Sequence, residues 1–181
     1  MSSFRNNAVA AAAFAISVSG STLAGALPSV GADAPSGKVE DADGKQLDTK
    51  TIKGKPLLIV YEDRDAATQN DALKKELGVL AKGDKYKSKI ALAAVADVSA
   101  FDFWPVKGFV KDAIREESKK AGTTIYCDWT GSFRKAFKIT KGKSSVLLVG
   151  KDGKVLFAGE GTLSAEDRKK LLALLKAQVE A

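Results

Sequence analysis

The sequence contains no histidine in its 181 residues. Histidine is the usual general base of a Ser-His-Asp triad and the commonest metal ligand, because its ordinary pKa lies near neutral pH. Its absence excludes histidine general-base catalysis, a triad of this kind and any metal site built on imidazole.

Cysteine is almost absent as well, since Cys127 is the single one. One cysteine forms neither an internal disulfide nor a CxxC pair, and it excludes a cysteine-rich structural zinc site. Cys127 stands in TTIYCDWTG at the end of an expected short strand, where Asp128 should raise the pKa of its thiol. Two interpretations stay open: a small buried residue, or a lone candidate thiol that makes mixed or intersubunit disulfides.

Positive charge is in excess, with 29 basic and 22 acidic residues and a formal charge of +7. Much of this excess is lysine interleaved with acidic residues, as in KKEL and DRKKLLALLK. That pattern is typical of solvated helix faces, whereas a nucleic-acid surface concentrates arginine and aromatic residues. We therefore predict no nucleic-acid partner, although a weak attraction to anionic surfaces stays open.

The N-terminal segment fits a secretory signal peptide. Arg5 precedes an apolar run over residues 8–18, and both Ala24-Gly25-Ala26 and Val30-Gly31-Ala32 fit the small-x-small cleavage pattern. The run is short for a membrane span, which needs about 20 residues. We predict that residues 1–32 are a signal peptide or a disordered N-terminal segment and that residues 33–181 are the domain. The protein would then be periplasmic or secreted, with no stable membrane span after cleavage. An alanine-rich tail or a weak anchor is the alternative.

The remaining chain alternates strand and helix patterns. LLIVY and residues 90–95 are continuous apolar runs typical of strands buried on both faces. Turn signals in DADGKQ and KDGK predict two hairpins, and KGDKYKS is predicted to be a polar loop. Apolar spacing predicts helices over residues 66–81, 109–121 and 165 onward, and Ser164 is predicted to cap the last of them. Between the second and third helices we predict a short strand at 123–127 and a helical turn at 132–137. This order predicts one α/β domain whose mixed sheet is covered on both faces.

Two stretches resemble the thioredoxin-like redoxins. DGKQLDTKTIKGKPLLIVY resembles the entry to their first core strand, and SSVLLVGKDGKVLFAGEGTLSAEDRKKLLALLK resembles their terminal hairpin and helix. The exit segment is most like the small exported YtfJ-like branch of that superfamily. The resemblance covers roughly residues 38–180. It implies a three-layer α/β/α fold with a mixed sheet, an N-terminal hairpin and a C-terminal helix.

The resemblance also implies that the redox group is missing. Tyr61 takes the place of the strand-end aromatic, and Ala66 and Gln69 fall on the two cysteine positions. Ser144 and Ser145 occupy the stretch where the family usually has a proline held cis beside the active site. Disulfide exchange and peroxide reduction need a thiolate at this corner, and alanine supplies none.

Carboxylates follow three of the expected strands: Glu62, Asp63, Asp65, Asp97 and Asp128. The carboxyl ends of parallel strands share one edge of a sheet, and oxygen ligands suit Mg²⁺ or Ca²⁺. The alternative is that these residues cap helices, with Asp65 as the N-cap of the helix from Ala66. DADG lacks the later ligands of a calcium loop, so we expect no calcium there.

A magnesium-dependent phosphatase or receiver domain is a further alternative for these carboxylates. Asp63 and Asp65 fit the start of a haloacid dehalogenase-like DxDx(T/V) motif, but Ala67 stands at its last position. LLIVYED is similar to the LIVEDD of receivers, but DFWP and LLVGKDGK depart from their later motifs.

Aromatic residues gather around the second crossover: Phe101, Phe103, Trp104, Trp129 and Phe133. They would wall a groove for a peptide or small ligand, or form a satellite core under the long connector. We predict an exported, non-enzymatic binding or assembly module, with no cofactor and an unknown protein or small ligand of the cell envelope as partner. Its binding rim would include Tyr61, Ala66, Gln69, Trp104 and Ser144. The enzymatic alternative is a divergent thiol oxidoreductase or peroxidase-like protein that uses Cys127.

Overall fold

The computed structural model describes residues 26–82 and 84–180. Most of the predicted signal peptide, residues 1–25, lies outside the described residues. Within the described part, no helix is both long and apolar enough to cross a membrane.

A single mixed sheet of seven strands organises the described residues, in the order β2-β1-β5-β4-β3-β6-β7. The strands are β1 Lys38–Asp41, β2 Gln46–Asp48, β3 Leu57–Glu62, β4 Ala91–Asp97, β5 Ile125–Asp128, β6 Ser145–Val149 and β7 Val155–Glu160. The helices are α1 Asp71–Leu80, α2 Asp84–Lys89, α3 Val106–Ala121, α4 Ser132–Ala136 and α5 Ala165–Glu180. Strands β3, β4 and β5 run parallel, while the pairs β1–β2, β1–β5, β3–β6 and β6–β7 are antiparallel. The predicted fold class is confirmed.

Alternate residues of the central strands build two cores. In β3, Leu58 and Val60 pack with Leu73 of α1 and with Leu171 and Leu175 of α5. Leu57, Ile59 and Tyr61 alternate with them and face the other side of the sheet. There they pack with Phe133 of α4 and with Phe137, directly after α4. Because both faces of β3 are covered, its sequence is a continuous apolar run.

Both predicted hairpins and the cap of the last helix are confirmed. β1 and β2 pair around the DADGKQ turn, and β6 and β7 pair around KDGK. At the start of α5, the Ser164 hydroxyl accepts the N–H of Asp167 at 3.0 Å and donates to its carboxylate at 2.7 Å. Gly122 ends α3 in the left-handed conformation, with φ of 63°.

The helix predicted to open at Ala66 begins at Asp71 instead. Asp65 is not its N-cap. Asp63 accepts the N–H groups of Asp65 and Ala66 at 3.1 and 3.0 Å, which holds the chain in turns over these residues. Side chains that bond nearby backbone groups compete with helix in this way. The apolar spacing predicted the helix correctly but not its start.

The segment predicted to be a polar loop contains the short helix α2. The Tyr86 hydroxyl lies 3.5 Å from a Glu180 carboxylate oxygen, and the Lys89 ammonium donates to the carbonyl of Val179 at 3.1 Å. Contacts with the end of α5 therefore stabilise a helix that the local sequence does not indicate.

Residues 27–34 form an N-terminal strap along the outer edge of the sheet. Gly31 N–H donates to the carbonyl of Val155, and Val155 N–H donates to that of Ala32. Asp33 bridges to Lys154, and Leu27 and Ala34 pack against the core. The strap thus covers part of the edge strand β7.

Candidate functional site

The carboxyl ends of β3, β4 and β5 meet at one edge of the sheet, called the rim below. The register pairs Glu62 with Ala96 and Asp97 with Asp128, so the strands end side by side. This is the edge at which α/β proteins usually bind ligands. Two separate hydrogen-bond networks occupy it.

The first network joins Tyr61, Asp97, Asp128 and Arg134. The Tyr61 hydroxyl donates to Asp128 Oδ2 at 3.0 Å, and the backbone N–H of Arg134 donates to the same oxygen at 3.0 Å. The Arg134 guanidinium pairs with Asp97 Oδ2 at 3.0 Å. Asp97 Oδ1 accepts the Ser99 hydroxyl at 2.6 Å. The network fastens α4 to the ends of all three parallel strands.

Burial and hydrogen bonding act in opposite directions on Asp97. Burial tends to raise the pKa of its carboxyl. The hydroxyl and N–H of Ser99, the nearby Tyr61 hydroxyl and the Arg134 charge outweigh burial, so the pKa lies below its ordinary value. The pKa of Tyr61 is raised, because its hydroxyl is buried and faces the carboxylates of Asp128 and Asp97. Asp97 therefore stays charged and Tyr61 stays neutral near pH 7.

The second network ties the corner, residues 62–70, to the loop before β6. Asp63 uses one oxygen for the turn at Ala66 and the other for the N–H of Gly142, at 2.6 Å. Gln69 donates to the carbonyl of Gly142 at 3.1 Å and accepts the N–H of Ser144 at 3.0 Å. Asp63 and Gln69, near the two ends of the corner, thus bind it to this loop.

Asn70 lies at the centre of the second network and is 2% exposed. Its amide donates to the Ser144 hydroxyl at 2.8 Å and to the carbonyl of Gly161 at 2.9 Å, and its oxygen accepts the N–H of Leu163 at 3.0 Å. Ser144 in turn donates to Glu62 at 2.9 Å, and Glu62 pairs with Lys74 at 2.8 Å. Every polar atom of the Asn70 side chain is engaged.

The five carboxylates expected near one another are divided between these networks. Asp97 and Asp128 belong to the first, Glu62 and Asp63 to the second, and Asp65 is exposed. Among the described residues, no group of three or more acidic residues or cysteine is arranged to hold a metal ion. Arginine, lysine, hydroxyl and backbone N–H groups are the partners of the oxygens in the two networks.

The residues predicted as a binding rim differ widely in exposure. Ala66 and Ser144 are fully buried and Tyr61 is 1% exposed, whereas Trp104 is 91% exposed. Gln69 is half-buried and bound to the loop before β6. Of the five, Trp104 is thus the side chain that faces solvent freely, and the other four lie in or beneath the networks.

The predicted aromatic cluster separates into three environments. Phe101 and Trp129 belong to a small core with Cys127 under α3. Phe133 is in the main core, stacked on Phe137 with ring centroids 4.4 Å apart. Phe103 and Trp104 are exposed, by 55% and 91%, and Phe109 in the first turns of α3 adds a third ring at 71%. These three exposed rings form the aromatic surface referred to below.

A cleft of about 240 Å³ lies between the β1–β2 hairpin and the start of α3. Lys107 lines it and has its ammonium 4.5 Å from the centre of the Trp129 ring. Trp129 also lines the cleft and is 6% exposed, and its indole N–H has no hydrogen-bond acceptor among the residues described. The indole nitrogen is itself buried, so this N–H is an unsatisfied buried donor.

Cys127 lies in the middle of the small core and is 1% exposed. Burial, aided by the charges of Glu40 and Asp41 and opposed by those of Lys111 and Lys107, raises the pKa of its thiol to about 11. The raised pKa agrees with the sequence-based expectation, although burial, not Asp128, is its main cause. A protonated, buried thiol is a poor nucleophile.

Cys127 is expected to make the protein less stable in alkali. The unfolded thiol ionises near pH 9.0 while the folded thiol holds its proton to about 11, so the unfolded state binds fewer protons between these values. Between pH 8 and pH 10, wild type should lose about 1.4 kcal/mol of unfolding free energy more than Cys127→Ala loses. Urea unfolding at both pH values measures this. Equal losses in the two proteins would contradict the assignment.

Sequence reasoning did not single out Asn70 or Arg134. Asn70 reads as an ordinary polar residue near a helix start, and Arg134 as one cation of a short helical turn. Their partners are far along the chain, as with Asn70 and Leu163 at 93 residues apart, so no local pattern marks them. The strand-end positions of Asp97 and Asp128 were the available signal for the first network.

Residues 38–178 match the model of a family described as bacterial protein of unknown function, YtfJ_HI0045. The chain belongs to this family. The match spans every strand and nearly all of α5, so both networks of this family member lie within it. No curated protein matches the chain at a significant level.

Solved structures of thioredoxin-like proteins share the fold of this family member. A thiol-disulfide oxidoreductase from Bacteroides fragilis is 20% identical with a TM-score of 0.56, over 80% of this chain and 99% of that one. A thiol peroxidase from Chromobacterium violaceum is 14% identical with a TM-score of 0.58, over 84% and 89%. An exposed lipoprotein thioredoxin from Streptococcus pneumoniae is 13% identical with a TM-score of 0.52, over 78% and 98%. At these identities the likeness shows the fold and nothing finer.

Proposed function

We propose that this protein is an exported binding or assembly module in which the thioredoxin-like fold has lost its redox chemistry. The proposal rests on the corner, residues 62–70, which contains no cysteine and is hydrogen-bonded to the loop before β6. Ala66 stands where the resemblance places a cysteine and is fully buried, and the turn around it is bonded to the loop before β6 through Asp63 and Gln69. Thiol chemistry requires a reachable thiolate, and this corner holds none.

The aromatic surface supports a binding role. Phe103 and Trp104, just before α3, and Phe109 in its first turns expose large apolar rings within a stretch of seven residues. Monomeric proteins rarely leave such rings exposed together unless a partner covers them, and tryptophan and other aromatic rings carry much of the energy in protein interfaces. The cleft beside Trp129, which Lys107 also lines, would accept a carbonyl or carboxylate of the same partner.

Capture of a partner from cell-envelope extract tests the binding role. The double variant Phe103→Ser/Trp104→Ser should lose the captured partner, while Val79→Ser should keep it. Val79 is a matched control, because it is an apolar side chain that is 69% exposed on a different helix, α1. Retention of the partner by the double variant, or its loss in the control, would count against the aromatic surface.

A redox assay tests the loss of chemistry independently. Wild type and Cys127→Ser should both lack disulfide reductase and peroxidase turnover, and the Cys127 thiol should resist a thiol-specific reagent until denaturant is added, because it is 1% exposed. Turnover by wild type that disappears in Cys127→Ser would establish the alternative, a divergent thiol oxidoreductase.

Of the two candidate signal-peptide cleavage positions, after Ala26 and after Ala32, we expect the first to be used. Cleavage after Ala32 would remove most of the strap, whose Gly31 and Ala32 bond to Val155 and whose Leu27 packs on the core. Cleavage after Ala26 would leave all of these contacts intact. We expect mature protein to begin at Leu27, which mass spectrometry of the envelope fraction measures. A mature N-terminus at Asp33, or an uncleaved chain, would contradict this.

A further inference from the structure

A second cleft, of about 410 Å³, lies at the opposite end of the sheet from the rim. Leu57, the first residue of β3, and its partner Val149, the last residue of β6, lie at this cleft. The rim begins at Glu62, at the other end of β3 and roughly 17 Å away at the rise of an extended strand. This cleft is therefore separate from the surface proposed above for partner binding.

The floor of the cleft is apolar. Leu57, Phe137 and Val149 contribute buried side chains. Ile52, and Ala34 from the strap, are half-buried and also line the cleft. The volume falls in the range of about 300–1,000 Å³ that small-molecule sites occupy. An aliphatic chain is the simplest chemistry that such a floor takes.

The mouth of the cleft is cationic. Four exposed lysines line it against one carboxylate, that of Asp152: Lys50, Lys53, Lys55 and Lys151. None of the four pairs with a carboxylate in residues 26–82 and 84–180, and Lys55 donates to the carbonyl of Ser88. Lysines on flexible stems around an apolar floor match a ligand that has one anionic end and one apolar end.

We propose that this cleft binds a single-chain amphiphile with an anionic head, of the fatty-carboxylate or alkyl-phosphate class. The chain lies on the floor formed around Leu57, Phe137 and Val149. The head lies among the lysines at the mouth. Charge complementarity sets the sign of the head, and the apolar floor sets the nature of the tail.

Calorimetric titration of the full chain with decanoate, below its micelle concentration, tests the proposal. One decanoate should bind per chain, about fifteenfold more tightly than octanoate, because decanoate has two more methylenes and each buried methylene strengthens binding about fourfold. Decyl maltoside and decyltrimethylammonium have the same tail with a neutral or cationic head, and both should bind at least tenfold more weakly. Decyl phosphate distinguishes a phosphate from a carboxylate head.

Variants locate the site. Lys53→Glu/Lys151→Glu should weaken decanoate binding about tenfold. Lys75→Glu/Lys169→Glu makes the same change in net charge on exposed faces of α1 and α5, and it should bind decanoate as wild type does. In methyl NMR spectra, decanoate should shift the signals of Ile52 and Val149. Absence of binding, equal affinity for all heads, equal loss in both double variants, or unshifted Ile52 and Val149 methyls would each overturn the proposal.

Discussion

Asn70→Ala is expected to lower the free energy of unfolding by about 3–5 kcal/mol. The substitution deletes three hydrogen bonds and leaves the Gly161 carbonyl and the Leu163 N–H without their partner in a buried place. A buried group left unsatisfied costs about 1–3 kcal/mol, so two such groups account for most of the loss. Urea unfolding followed by circular dichroism measures it.

Two further variants make the Asn70 result interpretable. Thr68→Ala changes an exposed neighbour in the same turn and should leave stability nearly unchanged. Asn70→Asp keeps an acceptor for the Leu163 N–H but loses both donors, so it should remain well below wild type at pH 7. Stability of Asn70→Ala within about 1 kcal/mol of wild type would show that the second network does not hold the corner.

Arg134→Met is expected to cost about 2–4 kcal/mol at pH 7. Asp97 has a side chain that is 4% exposed and pairs with the guanidinium, so the variant leaves a buried charge without its cation. Methionine keeps much of the arginine stem, which limits the loss of packing. A loss of this size would exceed anything expected from a surface pair.

The pH dependence of Arg134→Met separates lost charge from lost packing. In wild type the folded-state pKa of Asp97 lies below its unfolded value, so its contribution is present above about pH 4 and is lost as the pH falls through the folded pKa. Without Arg134 this pKa would move upward, because one of the interactions that oppose burial is lost, and protonation of Asp97 would remove the buried charge at a higher pH than in wild type. The difference in unfolding free energy between wild type and Arg134→Met should therefore become smaller as the pH falls toward about 4.

Lys38→Met is the control for Arg134→Met. Lys38 is 70% exposed and lies 3.6 Å from Asp48, so its loss should have a small effect that changes little with pH. A deficit of Arg134→Met that stays constant from pH 7 to pH 4 would mean that packing, not the ion pair, holds α4 against the strands.

The two networks explain how the rim stays ordered without a dithiol. In this chain polar side chains join the corner to the loop before β6 and join α4 to three strand ends. Each network buries charged or amide groups, which is favourable only when their hydrogen bonds are complete. The rim therefore presents a fixed shape, and the aromatic surface beside it is available for a partner.

The sequence alone determined the fold class and the order of most elements. Apolar runs and apolar spacing depend directly on which residues are buried, so they predict the strand LLIVY and helices α3 and α5. Turn-forming residues predict both hairpins. The absence of histidine and of a second cysteine excluded classes of chemistry at once. The resemblance then indicated that Ala66 and Gln69 stand at the cysteine positions.

Only the tertiary structure decided where helix α1 begins, which carboxylates meet and which aromatic rings face solvent. Asp63, Gln69 and Asn70 hold the corner in turns by bonding residues from Gly142 to Leu163, and a local pattern carries no record of partners so far away. Phe101 and Trp104 lie three residues apart in the sequence, yet one packs in a core and the other is 91% exposed. Burial of such residues depends on what the rest of the chain places over them, and so it is settled only when the chain is folded.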